Sequence, residues 1–158
     1  MPELLVEPRQ WHDAPLLHGL DHIQARIPQR FEMALLQGIV HADQEQKFGI
    51  GVHQSRPTDF WVRGHLPGRP LMPGVLIVET AAQLCAWVMA TCVEMPPGKF
   101  FAFAGIDGAR FRGQVVPGDR LLLAARVNRV RRSLATYDTQ AWVKDELVFE
   151  GQILGVLL

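Results

Sequence analysis

The sequence predicts an α+β fold in which a curved antiparallel sheet wraps around one long central helix. Three observations carry that reading. Fifteen of the nineteen residues from Val75 to Val93 are apolar, which describes a helix buried on nearly every side. Strand-like segments stand before and after it, bounded by short polar or proline-glycine turns. Strands do not alternate with helices, and no glycine-rich dinucleotide loop is present, so a parallel α/β sheet is excluded.

Taken in order, residues 1–24 read as irregular or weakly helical and polar, an N-terminal extension ahead of a single domain over residues 25–158. Trp11, His12, His18 and His22 are scattered through the extension. His18 and His22 have the spacing of helical metal ligands, but no carboxylate or thiol set accompanies them, so they read as a solvated face with no metal. Met33 to His41 and Lys47 to Gln54 are strand-like and joined by Ala42-Asp-Gln-Glu-Gln46, a hairpin in which His41 and His53 are ordinary strand histidines. Gly64 to Gly74 holds three prolines, three glycines and His65, and spells a rigid loop running into the helix, which spans about residues 74–93. Met95-Pro-Pro-Gly98 stops the helix. Phe100 to Asp107 reads as a strand, Pro117-Gly-Asp119 as a turn, Leu121 to Arg132 and Ala135 to Val143 as strands, and Lys144-Asp-Glu146 as a turn into Leu147 to Leu157. Meander order is the expectation for these last strands.

Composition narrows the function. Sixteen basic residues balance sixteen acidic ones, which argues against a nucleic-acid binder or an electrostatic membrane binder. No basic segment followed by a long apolar one opens the chain, so a cytoplasmic location is expected. The central helix is long enough to span a bilayer, but Glu79 and Gln83 share one face of it and no flanking basic cluster or aromatic belt is present; a core helix is expected, not a membrane span. Cys85 and Cys92, the only cysteines, lie seven helical residues and so ~10 Å apart, too far to bridge. They read as free thiols in a reducing compartment.

Glu79 is the anomaly. An unpaired carboxylate is costly on an apolar helix, and it stands shortly after a histidine in a rigid loop, so His65 and Glu79 form a candidate acid/base pair. The helix start after Pro73-Gly74 leaves backbone N–H groups and the positive end of the helix dipole facing the loop, where they can polarise a carbonyl. Taken singly, each of these features also has a plain structural reading.

Two stretches carry a resemblance. Phe60-Trp-Val-Arg-Gly-His-Leu-Pro-Gly-Arg-Pro-Leu-Met-Pro-Gly-Val-Leu-Ile-Val-Glu-Thr-Ala-Ala-Gln83 and Phe103-Ala-Gly-Ile-Asp-Gly-Ala-Arg-Phe-Arg-Gly-Gln-Val-Val-Pro-Gly-Asp119 resemble, in matching order, the two signatures of the (3R)-3-hydroxyacyl-acyl carrier protein dehydratases. The resemblance runs from about residue 27 to residue 155 and implies the hot-dog fold. It implies dehydration of a (3R)-3-hydroxyacyl thioester to the trans-2-enoyl thioester, with His65 as base and Glu79 as the acid that protonates or orients the departing hydroxyl. The apolar surroundings are expected to raise the Glu79 pKa toward the protonated form. Gly74 would supply an oxyanion-stabilising amide, and Gln83 would orient the carboxyl group. No metal or organic cofactor is implied.

The partner implied is an acyl carrier protein with its phosphopantetheine arm, and the assembly a homodimer or trimer of dimers in which His65 of one subunit meets Glu79 of another. Leu66, Met72, Leu76, Phe101 and Phe103 are candidates for the acyl tunnel, with plain core packing an equal reading. Arg110, Arg112, Arg131 and Arg132 are candidates for carrier docking, with a solvated strand face an equal reading. Two positions depart from the family pattern: Gln29 replaces a histidine in Ile27-Pro-Gln-Arg-Phe-Glu32, and Ala102 stands where some members carry a tyrosine near the tunnel mouth. A hot-dog thioesterase or a non-catalytic acyl-binding relative is the alternative.

Overall fold

The structure, a computed structural model, describes residues 2–158. Six strands form one antiparallel sheet: β1 Gly38–Asp43, β2 Phe48–Gln54, β3 Phe101–Phe111, β4 Arg120–Arg131, β5 Leu134–Val143 and β6 Glu146–Leu157. A short helix α1, Leu20–Gln24, precedes them, and the long helix α2, Gly74–Cys92, lies against the sheet. This is the α+β architecture expected.

Proline sets the limits of α2. Pro73 occupies the N-cap, where its missing N–H costs nothing, and at the far end Val93 is extended (ψ 134°) two residues before Met95, which Pro96 in turn disfavours from helix. One side of the helix, with Ile77, Ala81, Leu84, Cys85 and Val88, is buried with Leu121, Leu123, Ala125 and Tyr137 of the sheet in the main core. Val75, Val78, Glu79, Ala82 and Ala86 lie on the less covered side. The helix that is apolar enough to cross a membrane thus has half of its most apolar window buried inside the protein.

Strand order departs from the expectation. β4, β5 and β6 do form a meander, but β3 pairs with β6 and leaves β2 beside β4, giving the order β1-β2-β4-β5-β6-β3. β3 also continues past Asp107 to Phe111, because Gly108 adopts φ +62° in a bulge between Asp107 and Arg110 and the pairing with β6 resumes beyond it. At the other end of the sheet, the strand expected from Met33 begins only at Gly38. Phe31–Met33 is a single 3-10 turn, the amide of Leu36 donates to the side chain of Gln83 instead of a neighbouring strand, and that of Leu35 is shared between Gln83 and the Met33 carbonyl.

The N-terminal segment is less polar in its packing than in its composition. Leu5, Val6, Trp11 and Ala14 cover a second apolar cluster, Val40, Ile50, Val52, Leu122, Ala124 and Trp142, on the sheet face away from α2. His18 and His22 are not a solvated face: their rings stack 3.6 Å apart and tilt against Trp87 of α2. His18 precedes α1, so the pair is brought together by the turn at Gly19 and not by helical spacing. No group of three or more His, Cys, Asp or Glu able to hold a metal occurs among the described residues. His41 packs against Trp11, and His53 is 1% exposed with Nδ1 2.8 Å from the Leu35 carbonyl.

Candidate active site

The loop bearing His65 is fastened at both ends to the segment before β4. Ser55 donates its N–H to the Asp119 carbonyl at 2.9 Å, Gly118 returns a bond to Ser55, and Met72 donates to Val115 at 2.9 Å. Between these anchors the chain turns on itself through Val62 to Asp59, His65 to Trp61 and Arg69 to Leu66, with Trp61 and Met72 buried as plugs. His65 itself is exposed. Its Nδ1 lies 2.7 Å from the Leu71 carbonyl, and a carbonyl only accepts, so in the neutral ring Nδ1 carries the proton and Nε2 keeps its lone pair. A neutral histidine held in that tautomer is a base aimed by its backbone bond.

The start of α2 carries no side-chain cap. Leu76 and Ile77 donate back to the Pro73 carbonyl, so Gly74 and Val75 supply the leading amides of the helix. Gly74 must be small for a reason of space: a Cβ there would lie 2.9 Å from the ring of Phe111.

Glu79 follows one turn later, half-buried. Gln83 donates from Nε2 to Glu79 Oε1 at 2.9 Å and to the Met33 carbonyl at 2.7 Å, while its Oε1 accepts from Leu35 and Leu36 at 3.2 and 3.1 Å. Two N–H donors on one side and an acceptor on the other leave the amide a single orientation, and that orientation fixes one oxygen of the Glu79 carboxyl group. The structure thus brings Gln83 and Glu79 together.

Glu79 opens onto an apolar cavity of about 360 Å³ whose other walls are Val75 and Val78 of α2 and Phe103, Ile106, Ala109 and Phe111 of β3. His65 is not among those walls, and no hydrogen bond joins it to Glu79. A single chain thus presents the two groups separately. Of the residues expected to line a tunnel, Phe103 walls this cavity, and Phe101 with Ala102 walls the gap next to it. Met72 is 2% exposed in the core, Leu76 is half-buried against that core, and Leu66 is exposed on the loop. Val75 and Val78 also line the cavity, and the i,i+4 spacing of Val75 to Glu79 sets those two on one helix face.

The four arginines divide into two places. Arg112 is ion-paired with Glu150 and Arg110 turns to the Ala109 carbonyl, both near the end of β3, whereas Arg131 and Arg132 lie at the β4–β5 turn. In strand register Arg110 lies opposite Glu150, and Leu134 opposite Val156. Six residues of β6 separate those two points by ~20 Å, so the arginines do not make one rim. Arg63 and Arg69 are exposed on the His65 loop itself. Gln29 has its side-chain oxygen buried without a partner, next to Arg30, which ties together the carbonyls of Gln24, Ile27 and Gln29.

Residues 27–152 match the FabA-like domain. The chain is 36% identical over 140 residues to the 3-hydroxyacyl-[acyl-carrier-protein] dehydratase FabZ of Clostridioides difficile, covering 89% of this chain and 97% of that one. It is 38% identical to the enzyme of the same name from Chloroflexus aggregans, covering 86% and 93%. Among solved structures, the dehydratase heterocomplex ApeI:P from Xenorhabdus doucetiae superposes with a TM-score of 0.69 at 11% identity, over 88% of this chain and 90% of that chain. A thioesterase superfamily member from Thermus thermophilus superposes at 0.60 with 17% identity, over 70% and 80%. Those two likenesses speak to the fold, which is the hot-dog fold. On the extent of the domain match and of the identity, this chain belongs to the FabA-like domain family.

Proposed function

We propose that the protein dehydrates a (3R)-3-hydroxyacyl thioester, carried on an acyl carrier protein, to the trans-2-enoyl thioester. The observation that carries this reading is the carboxyl group of Glu79, fixed by Gln83 on the wall of an otherwise apolar cavity. The step removes a proton from C2 and hydroxide from C3. Nε2 of His65 takes the C2 proton, the C2–C3 double bond forms, the C3–O bond breaks, and Glu79 donates the proton that lets the oxygen leave as water. The thioester oxygen, which gathers charge as C2 loses its proton, is held by the amide of Gly74 at the positive end of α2.

The pair is completed by two copies of the chain. β3 is an edge strand, and beside it Val75 is 74% exposed and Phe103 and Phe111 about half exposed, an apolar stripe that one chain leaves to water. A second copy against this edge closes the cavity and brings its own His65 to Glu79. Dimers of this kind, alone or three together, are the assembly proposed, in the cytoplasm. Arg63 and Arg69, flanking His65, are the basic groups best placed to meet an acidic carrier protein.

The test is enoyl formation followed by absorbance with thiol release monitored in parallel; free thiol without enoyl product would mean a thioesterase. For the shared site, His65→Ala and Glu79→Gln chains are each expected to lose ~10²- to 10⁴-fold in rate. Refolded together in equal amounts, they should recover about a quarter of the wild-type rate, since half the dimers are mixed and each holds one intact site of two. A mixture that stays at the background of the single variants rejects the shared arrangement.

A further inference from the structure

The cavity at Glu79 is the first of three that share walls along the α2–β3 seam. Phe103 belongs to the first and to a middle gap; Phe101 and Ala86 belong to that gap and to a third cavity of about 210 Å³ near Ala90. The helix side of the seam is the stripe Val78, Ala82, Ala86, Ala90, small enough to leave a channel beside β3. The middle gap narrows to about 10 Å³.

At that narrowing stands Tyr137 of β5. It is 1% exposed, and its hydroxyl has no hydrogen-bond partner. The hydroxyl faces the gap: a Cβ on Gly155, another wall of the gap, would lie 3.6 Å from it. The remaining walls are Ala82, Cys85, Ala86, Phe101, Ala102, Phe103 and Ile153, whose side chains offer no oxygen acceptor and only one weak sulfur acceptor, the Cys85 thiol. A water is a poor occupant, because a buried water needs about two to four polar partners, and the side chains of the gap supply the Tyr137 hydroxyl and only a weak second one, the Cys85 thiol. A plain hydrocarbon chain passing the gap would leave the donor unpaired.

We infer that Tyr137 is a specificity-determining residue that favours acyl chains bearing an oxygen, as a keto or hydroxyl group, where the chain passes the gap. Six residues of α2 separate Glu79 from Cys85, so that oxygen lies ~9 Å from the reacting carbons. The inference rests on the acyl chain following the seam from Glu79, as the dehydratase reading requires.

Its test is a binding measurement, independent of turnover. Saturated acyl-pantetheine thioesters of one length, either plain or with a keto oxygen moved stepwise along the chain, are titrated calorimetrically into the wild-type protein and into Tyr137→Phe. One keto position is expected to bind the wild type about three- to tenfold more tightly than the plain chain, the value of one recovered hydrogen bond. Tyr137→Phe should erase that ratio. Gly155→Ala, whose Cβ would press on Tyr137 at 3.2 Å and on Phe101 at 3.4 Å, closes the gap and should erase it as well. The inference is overturned if no keto position outbinds the plain chain, or if Tyr137→Phe weakens plain and keto chains alike, as a purely structural tyrosine would. Enoyl formation from short substrates that end before the gap is measured separately, and its failure counts against the dehydratase reading alone.

Discussion

Gln83 concentrates more of the site's geometry than either proposed catalytic group. Its two side-chain ends serve Glu79, Met33, Leu35 and Leu36, and the residue is 2% exposed. Gln83→Leu keeps much of the volume but leaves the buried Leu36 N–H unpaired, at ~1–3 kcal/mol, and removes the bond to Glu79, worth ~0.5–1.5 kcal/mol. We expect a loss of ~2–4 kcal/mol in denaturant unfolding and a fall in kcat larger than any change in KM. A variant of wild-type stability would show that the 33–36 segment finds other partners. Buried His53 gives a second expectation at this scale. Desolvation lowers its pKa below 6.5, against the opposing bond to Leu35, and its Nε2 has no hydrogen-bond partner. The unfolded chain therefore takes up a proton more readily than the folded one. The stability is fully present above about pH 6.5 and is lost as pH falls through the lowered folded value. Unfolding measured from pH 7.5 to 5 should show this slope, and His53→Gln should flatten it. At this scale Glu79 was legible, because a carboxylate on an apolar helix stands out locally. The bonds from Gln83 to Met33, Leu35 and Leu36 were not, because those partners lie 47 to 50 residues away in sequence.

Elements were easier to read than their neighbours. The hairpin of β1 and β2, helix α2 and the β4 to β6 meander all follow from local pattern and turn chemistry, as their residues indicated. The place of β3 did not, since alternation says that a segment is extended without saying which edge it joins. That misplaced strand walls the cavity and stands at a sheet edge, where the proposed assembly places the second chain. Phe103→Glu is expected to put a charge into that seam. Sedimentation should then show a shift toward monomer, with activity reduced at least tenfold, the size of a loss of about 1.4 kcal/mol or more in association. Unchanged assembly would place the partner elsewhere.

In the molecule as a whole, two apolar layers sit on opposite faces of one sheet. α2 fills one, and the N-terminal segment covers the other. The segment is secured by Leu5 to Gln140 at 2.7 Å, Gln140 to Glu3 at 2.8 Å, Arg9 to Asp145 at 2.9 Å and Arg120 to Ala14 at 3.0 Å. It lies outside the FabA-like match, which begins at residue 27. Removing residues 1–15 uncovers Trp142 and its neighbours and should cost ~3 kcal/mol or more, given ~1.5–3 kcal/mol for each large apolar side chain fully buried. Equilibrium unfolding of the truncated chain measures this directly; a loss below ~1 kcal/mol would make the segment a passenger. Its polar composition hid this role, because only a few apolar side chains in it, Leu5, Val6, Trp11 and Ala14, do the covering.

The single amide that fixes Glu79 also decides where β1 begins. Gln83 accepts from the N–H groups of Leu35 and Leu36 through Oε1 and donates to the carboxyl group through Nε2, so the segment entering the sheet and the carboxyl group are set by the same planar amide. One side chain thus holds both the cavity carboxyl group and the main chain that leads into β1, so a substitution that moves either takes a hydrogen-bond partner from the amide that holds the other.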